Sequence, residues 1–107
     1  MEIVILNPVK WELFWMGSQI RKEVYRNCLP EIQKDPENKV REIEFERVKM
    51  YSYHFSIGKA GYRIIYKMHN DKIYIIMVEF RRNFSKENQA FFKKLNSRLV
   101  ALSKIYE

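Results

Sequence analysis

The chain reads as a small α+β domain, and three observations carry that reading. Residues 61–82, GYRIIYKMHNDKIYIIMVEFRR, have the composition and the single polar break of a β-hairpin. Upstream, Asn7-Pro8 and Gly17-Ser18 punctuate the starts of two helices. Downstream, Phe91, Phe92, Leu95, Leu99, Leu102 and Tyr106 recur at helical spacing.

In chain order, residues 2–6 (EIVIL) predict a first strand. Asn7 is placed as N-cap and Pro8 at the first helical position, where its missing N–H costs nothing. A short helix to Met16 follows, with Val9, Leu13 and Met16 on one face. Trp11, Phe14 and Trp15 widen that face, so the helix is expected to be well buried. Gly17 suits the end of this helix and Ser18 the cap of the next. The second helix runs towards Gln33 with Ile20, Val24, Cys28 and Ile32 repeating every four residues. Pro30 is expected to kink it or end it early. Residues 34–38 (KDPEN) form a polar turn that closes an αα-hairpin.

Residues 39–47 fit an extended segment or a helical turn. From Met50, Tyr51, Tyr53, Phe55 and Ile57 alternate with Ser52, His54 and Ser56, the period of a strand with one apolar and one polar face. Residues 58–61 (GKAG) form a turn. In the hairpin, β-branched and aromatic residues flank His69-Asn70-Asp71-Lys72, and Asn and Asp tolerate φ > 0. Ser85 is placed as the cap of the last helix. The order β-α-α-β-β-β-α predicts an N-terminal strand, a helical hairpin, an antiparallel meander and a C-terminal helix. The helices are expected on one face, leaving a partly polar face for a site.

The 107 residues fit one domain spanning 1–107, with 47% apolar residues to supply a core. No apolar run reaches the ~20 residues of a membrane span. The start, MEIVILNPVKWELF, lacks the features of a signal peptide. The single cysteine, Cys28, cannot form an internal disulfide, and two histidines without CxxC give no zinc motif. A reducing cytoplasm is therefore the expected compartment, with no metal, cofactor or membrane partner.

Charge is unevenly placed. Residues 1–54 hold nine Lys/Arg and nine Asp/Glu, whereas residues 55–107 hold eleven and four. The whole excess of +7 lies in the half containing the hairpin and last helix. A one-sided positive field fits a polyanion or an acidic protein.

From Trp15 to Arg82 the chain resembles the RelE/ParE toxin superfamily of type II toxin–antitoxin systems. MGSQIRKEVYRNCL is similar to that family's helical hairpin. YSYHFSIGKAGYRIIYKMHNDKIYIIMVEFRR is similar to its strand, Gly-Tyr-Arg block and hairpin. The resemblance implies a toxin neutralised by a cognate antitoxin, as a homodimer or as a hetero-oligomer with it. In the RelE branch it implies metal-independent cleavage of mRNA on the ribosome. The ParE branch acts on DNA gyrase instead, and a degenerate member would keep only antitoxin binding.

Cleavage through the 2′-hydroxyl needs a base, an acid and cations for the pentacoordinate phosphate. Arg63 matches the family's phosphate-binding Arg, and its planar fork can bond two phosphate oxygens. Its other reading is a strand Arg pairing with Glu79. His54 stands where the family often has a Lys base, and its ordinary pKa of ~6.5 suits proton exchange. It reads equally as a plain cross-strand residue. Ser56 replaces a second family Lys, and Lys59 is a candidate to restore that charge. Arg81 and Arg82 stand where the family carries a further Arg. Strand alternation would send only one of them to the site, with Arg82 preferred. The family's late aromatic or histidine, which stacks on a base or donates the proton, has no clear match: Phe84 or Phe91 could stack, but neither can give up a proton. Lys67, Lys86, Lys93, Lys94 and Arg98 are candidate RNA phosphate contacts, or else a solvated face.

Overall fold

The computed structural model describes residues 1–37, 41–83 and 88–106. The fold is α+β: a five-stranded mixed sheet with helices. The elements are β1 (Glu2–Ile5), α1 (Asn7–Met16), α2 (Ser18–Glu23), a π-helical turn (Val24–Cys28) and α3 (Leu29–Lys34). Then come β2 (Arg41–Phe45), β3 (Val48–Ile57), β4 (Ala60–His69), β5 (Lys72–Phe80), a 3-10 turn (Arg81–Asn83) and α4 (Gln89–Tyr106). The sheet order is β1-β5-β4-β3-β2. The ambiguous segment is thus partly an edge strand, β2, and β1 joins β5 in parallel.

Three two-residue turns fix the meander. Gly58-Lys59 connects β3 to β4 with Gly58 at φ 60°. Asn70-Asp71 connects β4 to β5 with both residues at positive φ, a role their side chains suit. Glu46-Arg47 joins β2 to β3 at φ 50° and 67°, without a residue type that favours this region. Replacing Glu46-Arg47 by Asn-Gly should therefore stabilise the fold by about 1 kcal/mol, read as a higher denaturation midpoint.

Pro30 neither ends nor breaks the helix. The backbone widens instead: the Leu29 N–H bonds the Val24 carbonyl, five residues back. A π-turn rearranges the bonding where proline lacks an N–H and its ring would crowd the preceding turn. The stripe Ile20, Val24, Cys28 and Ile32 is buried as the spacing predicts. Burial, and then the charge of Glu23, pushes the Cys28 thiol up to about 12, which keeps it protonated near neutrality.

Two expectations are corrected. The first concerns α1: Val9 and Leu13 are buried, but Trp11, Phe14 and Trp15 are 65%, 58% and 78% exposed. Only one stripe of α1 meets the sheet.

The second concerns the sheet faces. One face presents Tyr53, Tyr62, Ile64 and Tyr66 to α1–α3, and the Tyr66 hydroxyl bonds the Pro36 carbonyl. Helix α4 lies against the other: Phe92 stacks on Phe45, and Tyr106 on His69 at 3.7 Å. The runs RIIY and IYIIMV are continuous rather than alternating. Ile64, Ile65, Met77 and Val78 are all 0% exposed, the pattern of strands covered on both faces.

At helix ends the caps shift by a residue. Leu6, not Asn7, precedes α1, and Gly17 itself serves both α1 and α2. Asn88 caps α4 through its Oδ1, which accepts the Phe91 N–H at 3.0 Å; Ser85 lies outside the described residues. No described helix is long and apolar enough to cross a membrane.

Candidate functional site

The site is built on the α4-facing side of the sheet, at the end α4 leaves accessible. On β3, β4 and β5, His54 stands directly opposite Arg63, and Arg63 opposite Glu79. Residues so paired share a face, with Cβ atoms roughly 5 Å apart. Arg41 on β2 pairs with Ser52, one pleat from His54 on the same face. Arg81 follows Glu79 and reaches back across the strands. A Cβ added at Gly61 would lie 3.2 Å from its Cδ, so the bare glycine gives the Arg81 stem its path.

These groups are close enough to act on one another's charge. His54 is held below its ordinary pKa by partial burial first, then by Arg63, Arg81 and Arg41. Arg63 is buried, at 7% exposure. Its own pKa is lowered by burial and by Arg41 and Arg81. The result is an imidazole that is neutral near pH 7 beside three guanidiniums. Because the unfolded chain binds the His54 proton more readily, stability rises with pH here. This contribution is complete above about pH 6.5 and is lost as pH falls through the lower folded pKa. His54→Gln should flatten that decline in urea denaturation series.

An open depression of about 520 Å³ adjoins the cluster, lined by Ser56, Lys59, Gly61, Phe80, Arg81 and Arg82. His54 and Arg63 do not line it; Arg81 connects the two. Both Arg81 and Arg82 border the depression, contrary to the alternation argument. The strand ends at Phe80, and residues 81–83 form a 3-10 turn in which alternation does not hold. Arg81 is the member that acts on His54 and Arg63, whereas Arg82 stacks its guanidinium 5.1 Å from the Phe80 ring centroid.

The other proposed RNA contacts divide. Lys94 is held between Glu12 and Glu79, the latter at 3.3 Å. Arg98 is buried and donates to Glu12 at 2.9 Å and to the Ile76 carbonyl at 2.8 Å. Both therefore serve the fold, not a solvated face. Lys93 and Lys59 are exposed. Lys67 stands opposite Tyr74, nearer the Asn70-Asp71 turn, four residues or ~13 Å from Arg63. Lys86 and Phe84 lie outside the described residues. Phe91 is core, at 3% exposure.

Sequence reasoning missed Arg41 because its segment was left open between strand and helix. The alternation Glu42, Glu44, Glu46 was the available signal. Comparison with protein families, with curated proteins and with solved structures finds no match for this chain.

Proposed function

We propose that this chain is the toxin of a type II toxin–antitoxin system, of the RelE/ParE kind, and a metal-independent endoribonuclease that cuts mRNA on the ribosome. The observation that carries this is one imidazole, His54, directly opposite Arg63 and on the same sheet face as Arg41, with Arg81 reaching in over Gly61 from the turn after β5. A deprotonated His54 takes the 2′-hydroxyl proton as that oxygen attacks phosphorus, the guanidiniums hold the charge that develops on the phosphate, and the P–O5′ bond breaks with the 5′-oxygen taking its proton from water. Lys59 and Arg82 extend the cationic border along the backbone of the bound strand. Its partners in this reading are the ribosome with mRNA, and a cognate antitoxin in the cytoplasm.

The test is inducible expression. Growth arrest with transcripts cut inside translated frames supports the reading. Arrest with intact transcripts and DNA damage would replace it with the gyrase-directed reading. One observation favours that alternative: Trp11, Phe14 and Trp15 form an exposed aromatic surface suited to a protein target.

A further inference from the structure

A hydroxyl lies inside the protein beside the cationic cluster. Ser52 is 1% exposed, and its Oγ has no hydrogen-bond partner among the described residues. A hydroxyl carries one donor and two acceptor positions, and leaving them unmet in the interior is costly. Buried oxygens of this kind are held by an ordered water or a ligand atom. Among the described residues only the Tyr106 hydroxyl shares this condition, and Tyr106 stacks on His69 at the far end of the sheet. Ser56, on the same strand, is exposed and has solvent for a partner.

Strand pairing fixes where Ser52 stands. It faces the same side of the sheet as His54, two residues or roughly 7 Å along β3. Its cross-strand partners are Arg41 on β2 and Ile65 on β4. Arg63, which pairs with His54, is its diagonal neighbour, about 7–8 Å away and within reach of a long side chain. Ile65 offers the hydroxyl only apolar surface on one flank. Polar company comes from the imidazole and the guanidiniums.

The chemistry leaves one role open at this position. Cleavage through the 2′-hydroxyl needs a proton donor for the departing 5′-oxygen as well as a base. His54 is engaged as the base, and guanidiniums do not release protons near neutrality. Water is left as the donor. In-line displacement places it on the opposite side of phosphorus from the base, so it must be held at a distance from His54. A point farther along β3, next to the same cations, suits that geometry. Positive charge at Arg41 and Arg63 also favours a water that gives up a proton.

We propose that Ser52 is a positioning residue whose hydroxyl holds the water that protonates the 5′-oxygen. The inference rests on the nuclease reading. As the 2′-oxygen bonds to phosphorus, its proton passes to His54 and the P–O5′ bond breaks. The bonding pair leaves on the 5′-oxygen, which takes a proton from the water. The hydroxide left beside Arg41 and Arg63 recovers a proton from the imidazolium. The products are a 2′,3′-cyclic phosphate and a 5′-hydroxyl, and both the water and His54 are regenerated.

The test uses the full chain, ribosomes and a short synthetic message. In one version the 5′-oxygen at the cut mapped on the ordinary message is replaced by sulfur. A thiol is far more acidic than an alcohol, so the sulfur leaves as thiolate without a proton donor. Single-turnover rates are compared on the two messages. Ser52→Ala should cut the ordinary message at least about tenfold more slowly than the parent. On the sulfur-linked message the two should agree within about twofold, because the donor is no longer needed. Ser52→Thr keeps the hydroxyl and should restore most of the ordinary rate. Thermal melts show whether each variant folds, and alanine costs the fold little because the hydroxyl it removes has no protein partner. Ser52→Ala that slows both messages alike marks a structural role and overturns the proposal. So does Ser52→Ala that cuts the ordinary message like the parent. His54→Gln removes the base and should slow both messages. Cutting that depends on His54 but not on Ser52 removes this inference alone, whereas a parent that cuts neither message removes the nuclease reading with it.

Discussion

Arg63→Ala is expected to lower transcript cleavage by about 10²- to 10³-fold, the usual effect of removing one preorganised charge-stabilising donor. Arg63 stands opposite His54 and close to Arg41 and Arg81, so no other residue in the cluster shares its central position. Lysine keeps the charge but loses the fork, so Arg63→Lys should recover only part of the activity. Primer extension on translated messages after brief induction measures both. Arg63 is buried, so a thermal melt must show that each variant folds. A folded Arg63→Ala that arrests growth and cuts transcripts like the parent would remove the nuclease reading.

Arg98→Ala is expected to give the largest loss of stability. Arg98 joins α4 to α1 through Glu12, which is itself 12% exposed at the side chain, and to β5 through the Ile76 carbonyl. Truncation leaves part of the Glu12 charge and a strand carbonyl unsatisfied. Breaking one partner of such a buried pair costs about 3 kcal/mol. For a domain of this size that lowers Tm by roughly 10 °C or more. A solvated Arg contacting RNA would instead change the salt dependence of binding and leave Tm alone, so calorimetry separates the two roles.

The Ile76 carbonyl has a further role. Counted from the Asn70-Asp71 turn, Tyr66 faces Ile75, yet Ile65 faces Met77, so Ile76 is an extra residue on β5. Without this bulge Arg63 would face Val78, and Glu79 would point to the opposite side of the sheet. The guanidinium of Arg98 thus holds the carbonyl at the point where the register of the site is set.

The α+β class, the helical hairpin, the β4–β5 hairpin and the C-terminal helix were legible because local patterns specify them. Asn-Asp turns, period-two alternation and four-residue spacing act over a few residues. The placement of His54 and Arg63 on neighbouring strands was legible for the same reason: both belong to strands that the local pattern defines. The exposure of Trp11 and Trp15 was not, since hydrophobicity alone cannot tell a core stripe from a groove wall.

Sequence by itself determined the elements other than β2 and the π and 3-10 turns, their order and the one-sided positive charge, all consequences of short-range propensity and composition. Tertiary structure alone decided which cations meet. Arg41 arrives from an edge strand, Arg81 leaves the strand in a 3-10 turn over Gly61, and Lys94 and Arg98 are drawn inward by Glu12, 82 and 86 residues earlier in the chain. Those outcomes depend on pairing between distant segments, where one bulged residue changes the face that every later side chain presents.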